Sequence, residues 1–91
     1  MSAGVIAMLG AAFGATKAVA ELWPKFSEKQ KKKIEGKYNT YISLKKRFNK
    51  AAVEFEIGSN SDELLALSDE VRIKKEEIHN LYRLYAKEIS S

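Results

Sequence analysis

Apolar residues recur along this chain in three blocks with different spacings, and each block predicts a helix. From Ala3 to Thr16 there is no charged side chain, and as far as Leu22 only Thr16, Lys17 and Glu21 are polar. Trp23 and Pro24 close that block, because a residue before proline is pushed out of the α region. Ser27 then offers an N-cap with Gln30 three residues on, the capping-box spacing, and only Gly36 interrupts the run to Ile57. At 100° per residue, Ile34, Tyr38, Tyr41, Phe48, Ala52 and Phe55 share one arc, with Lys29, Lys32, Lys33, Lys46, Arg47 and Lys50 opposite. Gly58, Ser59, Asn60 and Ser61 predict a tight reversal, and Asp62 and Glu63 suit the positive end of a further helix. That helix runs from Asp62 to about Ile89. Leu64, Leu67, Val71, Ile78, Leu81, Tyr82, Tyr85 and Ile89 form its main face, and Ile73 and Leu84 a narrower flank that implies another neighbour.

The pattern therefore predicts an all-α protein: an apolar N-terminal helix over residues 1–23, then an antiparallel, coiled-coil-like hairpin over residues 24–91 that turns near 58–61. The hairpin helices are nearly equal, at about 28 to 30 residues or roughly 42 to 45 Å each. Two helices meeting along one seam bury too little apolar surface to offset ordering costs of about 1.5 kcal/mol per residue. Something must cover the seam, and the candidates are the N-terminal segment, another copy or protein partner, or lipid.

In the first block the sidedness is one of size. Val5, Ile6, Leu9, Phe13, Val19 and Trp23 fall on one side; Ala3, Ala7, Gly10, Gly14 and Ala18 fall on the other. A Gly10-x-x-x-Gly14 step continued by Ala18 lets helix backbones approach closely. This makes Val5, Ile6, Leu9, Gly10, Phe13, Gly14, Ala18 and Trp23 the candidate association or membrane residues. The run through Trp23 is near the roughly 20 residues a membrane span needs. Trp23 would sit as an interfacial aromatic, and Lys25, Lys29 and Lys31 to Lys33 would hold the C-terminal part on the cytoplasmic side. Ala18-Val19-Ala20 has the small-x-small form of a signal cleavage site. It lacks a basic residue ahead of the apolar run, and Lys17 immediately precedes it.

Charge sharpens the picture. Residues 24–50 hold ten Lys or Arg against two Glu, whereas residues 51–91 hold five against nine Asp or Glu. A basic segment and an acidic one of similar helical potential are expected to fold back and partly neutralise each other, leaving Lys25, Lys29, Lys32, Lys33, Lys46, Arg47 and Lys50 to face an acidic surface. Cysteine is absent, so there is neither a disulfide framework nor a thiolate metal site. The single histidine, His79, falls between Lys75 and Arg83 on the polar side. Its Glu76-x-x-His79 spacing lacks the second pair and the extra carboxylates that a bundle metal site needs. No nucleophile arrangement or phosphate-cradling glycine loop is present, so the expectation is a non-enzyme with no cofactor and no small-molecule substrate. Tyr38, Tyr41 and Phe48 lie on the apolar face, away from the lysines, and so form core rather than a stacking platform for bases.

The Ala/Gly-rich opening, with Gly10 and Gly14 at its centre, resembles the N-termini of viral DNA-ejection and pilot proteins in composition, over about a fifth of the chain. That resemblance implies an oligomerising or membrane-active N-terminus. The expected function is a non-enzymatic helical assembly protein whose N-terminal helix self-associates or enters a membrane, with its basic face toward an acidic surface. A soluble structural component of a virion or larger complex and a nucleic-acid-contacting basic protein are the alternatives. The expected partners are a homo-oligomer or protein partner, an anionic membrane and, third, nucleic acid. The expected location is membrane-associated or virion-associated.

Overall fold

A computed structural model describes residues 3–56 and 61–90. The reversal expected at Gly58, Ser59 and Asn60, the helix end at Ile57 and the side chain of Phe55 lie outside the described residues. Four α-helices make up the described chain, joined in one place by a short 3₁₀ turn: α1 (Ala3–Phe13), α2 (Thr16–Leu22), the turn Trp23–Lys25, α3 (Glu28–Glu56) and α4 (Ser61–Ser90). The molecule measures 51 × 20 × 20 Å.

The long hairpin matches the sequence pattern. Ser27 and Gln30 cap α3 reciprocally: the Ser27 amide donates to Gln30 Oε1 at 2.9 Å and the Gln30 amide to Ser27 Oγ at 3.1 Å. α3 and α4 run antiparallel, since Gln30 donates to Glu88 at 3.3 Å while Lys37 pairs with Glu77 at 3.7 Å. Ile34, Tyr41 and Leu44 of α3 are buried against Leu67, Ile78 and Tyr82 of α4.

The N-terminal block is not one helix, and here the sequence expectation is corrected. Gly14 has φ +62°, a left-handed conformation that ends α1, and the Ala15 amide donates back to the Gly10 carbonyl at 3.1 Å. This six-to-one bond is the Schellman stop, which an L side chain at Gly14 would strain. The chain then turns sharply into α2. A Cβ on Gly10 would lie 2.7 Å from Thr16 Cα, so Gly10 is required for the corner between the two short helices. The Gly10-x-x-x-Gly14 step is therefore a corner within the chain and not a continuous groove on one helix.

α1 lies over the hairpin. Gly4 lets Tyr38 of α3 approach, since a Cβ there would sit 2.6 Å from the tyrosine hydroxyl, and Phe13 reaches Tyr82 of α4 with ring centres 5.5 Å apart. One core results: Val5, Leu9, Val19, Trp23, Phe26, Ile34, Tyr41, Ile78 and Tyr82. At this end of the rod, the cover that the hairpin requires comes from its own N-terminal helices.

Candidate functional site

The residues expected to serve association or membrane contact are distributed through this core. Val5, Leu9, Gly10 and Trp23 are buried, Ile6 and Phe13 are half-buried against the same cluster, and only Gly14 and Ala18 are exposed. Trp23, expected at a membrane interface, instead packs on Phe26 with ring centres 5.6 Å apart. Phe26 had no place in the periodic pattern because it sits between Pro24 and Ser27. It is buried against Tyr82 and Tyr85, with ring centres 5.7 and 6.0 Å away. Among the described residues no helix is long and apolar enough to cross a membrane. The corner at Gly14 leaves an 11-residue and a 7-residue helix where a span was considered.

His79 also departs from expectation. Rather than standing in solvent, it is half-buried, its ring centre 5.5 Å from that of Phe13, and the Arg83 guanidinium lies 5.0 Å from the centre of the same phenyl ring. Burial first, then the positive charges of Lys75 and Arg83, hold its pKa below the ordinary 6.5, against the opposing pull of Glu76. Glu76 pairs with Arg72 at 3.6 Å.

The seven basic residues are all exposed: Lys25, Lys29, Lys32, Lys33, Lys46, Arg47 and Lys50. From Lys29 to Lys50 the outer side of α3 forms a ridge of about 32 Å at 1.5 Å per residue. Its middle carries only small or neutral exposed residues, Gly36, Asn39, Thr40 and Ser43. Four cations off the ridge are in ion pairs: Lys31 with Glu28 at 3.6 Å, Lys37 and Lys74 with Glu77 at 3.7 and 3.2 Å, and Arg72 with Asp69 at 3.6 Å. None of the six ridge residues from Lys29 to Lys50 has such a partner among the described residues. Between the basic and the acidic helix the expected neutralisation is seen in the Lys37–Glu77 pair, and toward the far end Glu54 and Glu63 line one hollow with Arg47 and Lys50 without an ion pair among the described residues.

Two shallow depressions adjoin the ridge. Lys32, Lys33, Gly36, Lys37, Thr40 and Lys74 surround about 370 Å³, and Lys33, Lys37, Glu77, Asn80, Leu81 and Leu84 surround about 360 Å³. Through the second, the lysines share a face with Leu84, which is 52% exposed. Ile73, 48% exposed, lies on the same stripe of α4 about three turns away. This is the flank that the sequence marked for a neighbour, and α1 and α2 do not cover it. A third hollow of about 490 Å³ lies beside α1, between Gly4, Ala7, Met8, Ala11 and Ala12 and the residues Tyr38, Tyr41, Ile42, Lys45 and Lys75.

Chemically, the ridge can attract anions and the Ile73–Leu84 flank can bury against an apolar phase. No family model, curated protein or solved structure is similar to this chain.

Proposed function

We propose that this protein is a non-enzymatic helical assembly component that lies on an anionic membrane surface through the outer face of α3. The carrying observation is the ridge of six cations without an ion-pair partner among the described residues, Lys29, Lys32, Lys33, Lys46, Arg47 and Lys50, which at Lys33 adjoins the half-exposed Leu84. Basic residues near an anionic bilayer contribute about 1 kcal/mol each, so the ridge supplies up to about 6 kcal/mol, a partition constant on the order of 10⁴ M⁻¹. Partial insertion of Leu84 and Ile73 adds about 1 kcal/mol apiece. That is reversible, peripheral attachment, in keeping with an N-terminus whose large apolar residues are engaged in the core.

Nucleic acid is the weaker reading, because Trp23, Phe26, Tyr41 and Tyr82 are buried and Phe13, Tyr38, Phe48 and Tyr85 half-buried, which leaves no fully exposed ring among the described residues for bases to stack on. Nor does a phosphodiester backbone give Leu84 or Ile73 an apolar neighbour. A second reading, a structural component of a larger protein complex, draws on the far end of the hairpin, where Val53 and Leu65 are 60% and 65% exposed.

Flotation of the full chain with vesicles tests the first reading. It predicts capture by phosphatidylcholine vesicles containing phosphatidylglycerol, no capture by phosphatidylcholine alone, and release as salt rises. The variant carrying Lys29→Gln, Arg47→Gln and Lys50→Gln should be captured about a hundredfold more weakly. Equal capture by neutral vesicles, or none at low salt, overturns the proposal.

A further inference from the structure

We infer that the depression around Gly36 is the docking point for the phosphate of an anionic lipid headgroup, an inference that rests on the membrane-surface reading above. The first observation concerns the glycines. Gly4 makes room for Tyr38, Gly10 for Thr16, and Gly14 holds a positive φ. Gly36 does none of these things: a Cβ there would meet nothing within 4 Å, and its φ is not positive. A glycine in an exposed helix interior is less stable than alanine, so the isolated molecule gains nothing from having it there. What glycine provides at this position is an uncovered stretch of helix surface on which another group can lie closely.

The second observation is what surrounds that surface. Lys32, Lys33 and Lys37 from α3 and Lys74 from α4 line the depression together with Thr40. Glu77 bridges Lys37 and Lys74 from α4, so the four ammonium groups lining the depression outweigh this carboxylate by three charges. The Thr40 hydroxyl donates to the Gly36 carbonyl at 3.2 Å, and the helix amides are used internally, so a ligand is held here by lysine charge alone. Lysine acts as a point charge without the planar fork of arginine, which suits a tetrahedral phosphate met by several cations at once. Leu81 and Leu84 begin directly beside Lys33 and Lys37, giving the apolar part of a lipid somewhere to rest. A free phosphate or a nucleic acid would leave that edge unused.

The test uses the full chain, the three-residue ridge variant and three further variants on the same phosphatidylglycerol-containing vesicles. Gly36→Gln fills the depression with a neutral, helix-favouring side chain and leaves every charge in place; it should weaken capture roughly tenfold while helicity and Tm hold or rise. Gly36→Ala stiffens the helix but adds only a methyl group, and should retain capture to within about twofold. Lys33→Gln should weaken capture about fivefold. Glycerol phosphate should release the wild-type protein at lower ionic strength than sodium chloride does. If Gly36→Gln is captured like the wild type while the three-residue ridge variant is not, the docking point is overturned and the membrane reading survives. Absence of capture of the wild type removes both. Release by glycerol phosphate no better than by chloride, or equal loss of duplex DNA binding in Gly36→Gln, overturns the assignment to a lipid phosphate.

Discussion

The two ends of the α3–α4 hairpin carry the same helical spacing of apolar residues, yet they meet different surroundings. At the base, Ile34, Tyr41, Ile78 and Tyr82 are roofed by α1, α2, Trp23 and Phe26 and join a single core. Toward the other end, Leu44 and Leu67 are buried but stand outside that core, while Val53 and Leu65 face solvent. Two helices can hide the residues on their shared seam; hiding the flanks takes a third layer, which this chain supplies over only part of its length. Stability is therefore concentrated at the base, and the arm depends on continuity with it.

Ile78→Asp tests the contrast most severely. An unpaired carboxylate at the fully buried position should cost about 3–5 kcal/mol, whereas Leu65→Asp on the arm should stay within about 0.5 kcal/mol. Urea unfolding of both variants separates them, and comparable losses would show that base and arm are one uniform unit. Next in size, Gly10→Val should lower stability by about 1–3 kcal/mol, because the Thr16 backbone has to move to admit a side chain. Gly14→Ala should cost about 1 kcal/mol through its positive φ, while Gly36→Ala should raise stability by up to about 1 kcal/mol. Thermal melts that showed all three glycines behaving alike would refute these separate roles. Ser27→Ala should remove about 1 kcal/mol by uncapping α3 where it enters the base.

The smallest effect is with pH. His79 resists protonation in the folded protein, so above the ordinary 6.5 it contributes no slope. As pH falls through 6.5 the unfolded chain takes up a proton that the folded one refuses, and stability declines until the lower folded value is passed. Denaturation midpoints measured on either side of pH 6.5 should show that decline, and His79→Gln should flatten it. A wild-type slope unchanged by the substitution would mean that the Phe13 contact does not desolvate the imidazole.

Sequence periodicity was a good guide wherever a residue's neighbours lie along its own helix. The face of α4, that of α3 apart from the buried Leu44, the Ser27–Gln30 cap and the exposure of Lys29, Lys32, Lys33, Lys46, Arg47 and Lys50 follow from spacing. It failed where the neighbour came from elsewhere. A wheel treats Gly14 as merely small and cannot represent a left-handed stop, so one helix was expected where there are two. His79 stands on the polar side of α4 by angle alone, and only the end of α1 brings Phe13 over it. Phe26 belongs to no period at all. As for Gly36, its interest lies in what fails to touch it, which no one-dimensional pattern records.

Because the cations follow α3 lengthwise instead of gathering at one tip, a flat anionic sheet that engages all of them must take this 51 Å rod on its side. Base and arm would then stand at equal height above the sheet, and whatever each end grips would be spaced by the rod itself, as marks are by a ruler.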